Sequence, residues 1–292
     1  MNNKFKQLQD VRIIDALKSG RPPLLNQLKI GNTRWCTAEP SCTHCYKGPK
    51  EKLTREPGII TPIFDYFKKM GLIYIGTGEA MTYPEGIEEI FLEMFKNRTD
   101  FQMAATSTNG IGLTTESPDL SNFNASLELM NYYSRAGKTG YNLVEIANDG
   151  YHDEMYKTMG ASKDEIRARV EEAQKKYPGI RFMYKPYKKK EDCVLVKSGY
   201  AENLTGVRFQ NDATFCAPEL TFARFDETPY FLISFCIDEK GNVTSETISH
   251  KFGDEHNNGN VLKESIPKIL LKRGRELDMP LKDYTDNFKR EL

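Results

Sequence analysis

Residues 72–97 read LIYIGTGEAMTYPEGIEEIFLEMFKN. The apolar run Leu72 to Thr77 predicts a short strand, the turn Gly76 to Glu79 closes it, and the amphipathic stretch Pro84 to Asn97 predicts a helix. Working outward, the same order recurs. Strands are expected at Leu28 to Trp35, Phe101 to Ser107, Leu143 to Ala147 and Ile180 to Tyr184, with helices at Thr61 to Met70, Asn122 to Ser134 and Ser162 to Tyr177. The last of these opens on Ser162 and Glu165, a capping box. Strand followed by helix, repeated at intervals of roughly 35 to 40 residues, predicts parallel strands joined by right-handed crossovers. The expected fold is α/β, an open or partial parallel barrel.

The surrounding composition supports a folded globular chain. It has 292 residues, 39% of them hydrophobic, and 41 basic residues balance 41 acidic ones. That length is enough to bury a sizeable core, and a net charge of zero gives no global attraction to nucleic acid or to an anionic membrane. The lysine run KPYKKKED at 185–192 reads as a solvated linker, with no aromatic platform for nucleic-acid bases. No apolar stretch approaches the roughly 18 residues of a membrane span, and the start MNNKFKQLQD has no signal-peptide core. A cytoplasmic location is the expectation.

Three regions follow. Residues 1–27 hold a lead-in helix over Gln7 to Lys18, with Leu8, Val11, Ile14 and Leu17 at helical spacing. Residues 28–187 hold the strand-helix core. Residues 188–292 read as a β-rich extension with a hairpin about Asp238 to Asn242 and a closing helix over Ser265 to Leu277.

In parallel α/β folds, functional groups sit on loops leaving the C-terminal ends of strands. The conspicuous residues do lie there: Cys36 after the first strand, Gly76 to Glu79 after the second, Thr108-Asn109-Gly110 after the third and Asn148-Asp149-Gly150 after the fourth. Cys36, Cys42 and Cys45 crowd into ten positions, which in a reducing compartment favours metal or redox chemistry over disulfides. Three thiolates can hold three corners of an iron-sulfur cubane and leave one iron open. The same residues with His44 also make a four-ligand set for zinc.

The loop Cys36-TAEPS-Cys42-TH-Cys45-Tyr46, the run IYIGTGEAMTYPEGIEEIF, and the strand ends ATSTNGI and EIANDGYHDEMY together resemble the radical S-adenosylmethionine (SAM) superfamily over about Leu28 to Tyr184. Five residues separate the first two cysteines, and Gly76-Thr77-Gly78-Glu79 stands where the family has Gly-Gly-Glu. The resemblance implies a 4Fe-4S cluster on Cys36, Cys42 and Cys45, with SAM at the open iron. It further implies SAM contacts from Tyr46, Gly76, Thr77, Gly78, Glu79, Thr108, Asn109, Asn148 and Asp149. Reductive cleavage of SAM would give a 5′-deoxyadenosyl radical that abstracts hydrogen from a substrate C–H, with flavodoxin or ferredoxin as electron donor. No serine nucleophile or catalytic dyad is expected, and the sequence names no catalytic side chain.

The segments TFCAPEL, LISFCIDEKGNVT and GNVLKESIPKIL faintly resemble the SPASM extension of peptide-modifying relatives. Cys193, Cys216 and Cys236 are too sparse for its cysteine set, so a remnant without an auxiliary cluster is expected. A peptide or protein substrate leads, with a small metabolite or cofactor precursor as the alternative. Outside the superfamily, a non-enzymatic iron-sulfur or zinc protein is the other reading. Asp153 and Glu154 fit the first turn of a helix, where its dipole favours acids, and Tyr132 and Tyr133 fit helix packing.

Overall fold

The structure is a computed structural model that describes residues 24–38, 41–45, 53–76, 78–136, 140–195, 199–209, 223–225, 228–230, 232–244 and 259–271. The expected helix at 7–18, Tyr46, Thr77, Cys216 and the closing-helix residues past 271 lie outside them.

The core strands are β1 (Leu24–Gly31), β2 (Lys69–Gly76), β3 (Asp100–Thr108), β4 (Tyr141–Ile146) and β5 (Ile180–Tyr184). Short pairs β6 (Val194–Leu195) with β7 (Arg208–Phe209), and β8 (Ala223–Phe225) with β9 (Thr228–Tyr230), stand apart from them. The tail then supplies β10 (Leu232–Ile237) and β11 (Val243–Thr244). The main sheet has the order β11-β10-β1-β2-β3-β4-β5, in which six strands from β10 to β5 run parallel and β11 is antiparallel. Its two edges do not pair with each other, so the barrel is open, as the alternation predicts. The expected hairpin about Asp238 is present, and its first strand is inserted in the core sheet beside β1.

The helices are α1 (Thr61–Tyr66), α2 (Pro84–Lys96), α3 (Leu120–Ala136), α4 (Gly150–Met159), α5 (Lys163–Lys176) and α6 (Ile266–Leu271). Pro84 at the start of α2 has the preset φ that a first turn wants, and Ile87, Ile90, Phe91 and Met94 form its buried stripe. Phe91 stacks on Tyr133 of α3 at 5.0 Å, while Tyr132 beside it is 65% exposed. Tyr133 therefore does pack between helices, and Tyr132 does not.

Several boundaries among the described residues differ from expectation, by up to four residues. The helix expected to reach Met70 stops at Tyr66, because Phe67 turns extended and Met70 is drawn into the ladder opposite Leu25 and Phe101. The first strand ends at Gly31, four residues before Trp35. The capping box is half formed: Ser162 accepts from the Glu165 amide, but the Glu165 carboxylate accepts from the Thr115 amide and hydroxyl.

Strand alternation sorts side chains to two faces. On β2, Ile73 and Ile75 are fully buried in the main apolar cluster, while Tyr74 and Gly76 face the other way. The parallel strands deliver their C-terminal ends to one rim. Among the described residues no helix is long and apolar enough to cross a membrane.

Candidate active site

At that rim lies a cavity of about 290 Å³. Its wall includes Cys36, Cys42, Cys45, Glu79, Asn109 and His152. Residues from all four segments that resemble the radical SAM superfamily thus meet at one place.

The cysteines ride on a loop that leaves the sheet through a two-stranded stem. Arg34 donates its amide to the Leu53 carbonyl at 2.8 Å and Arg55 to that of Asn32 at 2.9 Å, with Thr33 bridged to Thr54. The turn after β2 clasps this stem: the Glu79 amide donates to the Trp35 carbonyl at 2.6 Å. Gly78 makes the contact possible, since it adopts φ of 51° and a Cβ there would stand 2.3 Å from the Trp35 oxygen.

Glu79 is the unusual group. It is buried, and its Oε2 accepts from the Thr108 hydroxyl at 2.9 Å and the Asn109 amide at 3.2 Å. Oε1 has no hydrogen-bond partner. Burial pushes its pKa up from 4.5 to about 8 against the pull of those donors and a weaker one from the Met81 amide, which lies outside hydrogen-bond geometry. A buried carboxylate with an unpaired oxygen is costly unless a cation or donor arrives. The raised pKa is the response of such a group, which keeps its proton near neutral pH until a cation favours the ionised form.

Asn109 is tied down beside it. Its side-chain oxygen accepts from the Ile111 amide at 2.9 Å, its carbonyl accepts from the Tyr156 hydroxyl at 2.6 Å, and its Nδ2 lies 3.6 Å from Cys36 Sγ. Burial pushes the Tyr156 hydroxyl pKa upward, so it stays a donor.

The fourth strand end is arranged differently. Asn148 donates to the Lys185 carbonyl at 3.1 Å. Asp149 caps α4, accepting from the Tyr151 and His152 amides at 3.0 and 3.1 Å, and its other oxygen holds His152 Nδ1 at 2.9 Å. Burial works to raise the Asp149 pKa, but the bonds and charge of His152 outweigh it and bring it to about 2. Both residues are thus engaged with protein groups. Asp149 acts on the cavity through His152, which lines it, whereas the Asn148 side chain is bonded to the Lys185 carbonyl instead.

His44 packs between Tyr151 and His152, with centroids at 4.9 and 4.6 Å, and its Nδ1 is 3.6 Å from Cys42 Sγ. Burial, then the charge of His152, hold its pKa down to about 4. His44, Asp149 and His152 bring ligand-type atoms within 4.8 Å of one another, yet both Asp149 oxygens are already bonded within the trio and the α4 cap.

Opposite the rim groups, the inner sheet face carries a polar relay. Tyr74 donates to Ser107 at 2.6 Å, Ser107 to Glu145 at 2.9 Å, and Lys185 stands 3.6 Å from the same Glu145 oxygen. None of these four was singled out from sequence, because each looks like an ordinary polar strand residue.

The donor set suits the implied cofactors. Three thiols share the wall of a cavity that is also lined by Glu79, a buried carboxyl group with one oxygen left without a hydrogen bond, a donor set that fits a cluster and a cation with an ammonium group. Cys193 and Cys236 are buried elsewhere: Cys193 donates to the Lys189 carbonyl at 3.3 Å, and Cys236 is on β10.

No family model and no curated protein matches this chain. Solved structures do. Native anSMEcpe with bound AdoMet and Cp18Cys peptide matches at 12% identity and a TM-score of 0.43, over 90% of this chain and 83% of that one. SuiB of Streptococcus suis matches at 14% identity and 0.41, over 97% of this chain and 74% of that one. The likeness is distant.

Proposed function

We propose that this chain is a radical SAM enzyme, with a 4Fe-4S cluster on Cys36, Cys42 and Cys45 and SAM in the cavity beside them. The observation that carries the reading is Glu79: a buried carboxylate with one idle oxygen, on the same cavity wall as three thiols. When bound, the cofactors supply a carbon radical able to take hydrogen from an unreactive C–H.

The chain's own residues bind and orient. Glu79 Oε1 pairs with the ammonium of SAM, and that cation offsets the cost of an ionised carboxylate at this depth. Thr108 and the Asn109 amide fix the other oxygen, so the acceptor is already aimed before ligand arrives. Gly78 keeps that acceptor in register with the cysteine loop through Trp35. Tyr46 and Thr77 add SAM contacts on the strength of the resemblance.

The substrate faces Tyr74, Ser107 and Lys185, held from behind by Glu145, a wall that selects a hydrogen-bonding group over a purely apolar one. A peptide or protein substrate suits the SPASM-like tail; a small polar metabolite is the alternative. Flavodoxin or ferredoxin is the proposed donor.

One observation favours a second reading. The 3.6 Å between His44 Nδ1 and Cys42 Sγ is also the spacing of two ligands on one zinc ion. That reading leaves Glu79 unexplained.

The test is anaerobic reconstitution with iron and sulfide, then dithionite and SAM, with chromatography for 5′-deoxyadenosine. Product that disappears in Cys42→Ala is the expected result, and Glu79→Ala should keep the cluster while weakening SAM binding. A colourless protein with stoichiometric zinc overturns the proposal.

A further inference from the structure

Among the described residues the cysteine loop is turned by backbone bonds from Cys42 to Ala38 and from Cys45 to Cys42, each at 3.2 Å. Ordering such a segment costs backbone entropy at every residue, so its geometry depends on what grips it.

One grip is the turn after β2. The second comes from far along the chain. Arg34, at the foot of the stem, places Nε 3.1 Å from Glu239 Oε2, and the Glu239 side chain is wholly buried. The Glu239 carbonyl accepts from the Glu56 amide at 2.9 Å, on the returning strand of the same stem. Gly31 lets the end of β1 lie against this turn: a Cβ there would stand 3.0 Å from the Glu239 nitrogen. At the other end of the loop, the Tyr200 amide donates to the Cys45 carbonyl at 3.0 Å.

An ion pair with one partner wholly buried, as Glu239 is here, is weak evidence for stability, since apolar replacements are often as stable, but it imposes geometry. Here it fixes the residue two positions before Cys36. We propose that Glu239 and the Tyr200 amide are positioning groups through which the C-terminal third of the chain sets the cysteine loop, so that cluster retention depends on a region that supplies no ligand. This rests on the reading of Cys36, Cys42 and Cys45 as cluster ligands.

The test compares full-length wild type, Glu239→Gln and Tyr200→Pro after anaerobic reconstitution. Iron release to an iron(II) chelator is followed by the loss of absorbance near 400 nm. The proline variant deletes the amide donor near the start of a short helical turn, together with the Tyr200 side chain, and leaves the Arg34–Glu239 pair intact. It therefore carries the test if Glu239→Gln fails to fold. Tyr200→Ala, which keeps the amide, serves as its control and should release iron at the wild-type rate.

Release about tenfold faster than wild type is expected of Glu239→Gln and Tyr200→Pro, the scale seen when groups supporting metal ligands are removed. Phe91→Ala serves as the stability control, because it weakens the core away from the loop. If Phe91→Ala, at equal or greater loss in urea midpoint, releases iron as fast as the positioning variants, the effect is general destabilisation and the inference fails. Release at the wild-type rate in the folded positioning variants also overturns it, leaving the proposed function intact. A wild type that assembles no cluster overturns both.

Discussion

Ile73 and Ile75 of β2 are fully buried among the apolar side chains of the outer layer, whereas Tyr74, between them, turns its hydroxyl to Ser107 on the opposite face. The contrast runs across the sheet. On the outer side, Val144 and Ile146 join Ile73 and Ile75; on the inner side, Lys29 lies over the Tyr74 ring and Glu145 closes the relay from Ser107. A parallel sheet buried on both faces would read as continuous apolar runs. Here polar residues interrupt them on one face, which is the face that lines the cavity. A slip of one residue would exchange the two sets, so the apolar burial that holds the fold also determines which polar groups meet the substrate.

Variants on the two sides should separate these roles. The largest effect belongs to the outer layer: Phe91→Ala should lower unfolding free energy by about 3 to 5 kcal/mol in urea titrations, through lost burial and a residual cavity. A loss under about 1 kcal/mol would mean the site collapses and the outer layer is not close-packed.

Glu79, at the rim between the faces, should act through pH. Its pKa is raised from 4.5 to about 8 in the native state, so the native state keeps a proton that the unfolded chain has released. Its contribution to stability is full below 4.5 and is lost as pH rises through about 8. Glu79→Gln removes that dependence. Urea midpoints of the ligand-free proteins should therefore shift in the variant's favour between pH 5 and pH 9, and a pH-independent gap would contradict the raised pKa.

The smallest stability effect is expected on the inner face. Tyr74→Phe deletes one hydrogen bond and should cost about 0.5 to 1.5 kcal/mol, while SAM cleavage by the reconstituted enzyme continues. A loss of SAM cleavage as complete as that of Cys42→Ala would place Tyr74 in the cofactor site rather than on the substrate wall.

Much of the core was legible because its signals are local. Period-2 apolar runs, the proline start of α2 and the Ser162 cap each act within a few residues. The motifs at strand ends converged as expected, yet their roles diverged. Gly78 and Glu79 form the clasp on the cysteine loop, whereas Asn148 and Asp149 look alike in sequence and serve as a carbonyl partner and a helix cap. Nothing in the letters N-D-G distinguishes a ligand contact from a cap, because both use the same short polar side chain at the same kind of turn. Helix α4 itself was visible only as an acidic first turn; its spacing of Tyr151, Met155 and Tyr156 is too short a stripe to stand out.

By itself the sequence determined the strand-helix order, the parallel open sheet that this order demands, and the rim on which the cysteines and Glu79 appear. Each follows from local periodicity, chain connectivity and the handedness of crossovers. Only the tertiary structure decided that residues 232–237 lie beside β1, that Glu239 reaches Arg34 across 205 positions, and that one carboxylate oxygen of Glu79 is left without a partner. These depend on which surfaces remain to be covered once the core has packed, and no pattern confined to neighbouring residues encodes that.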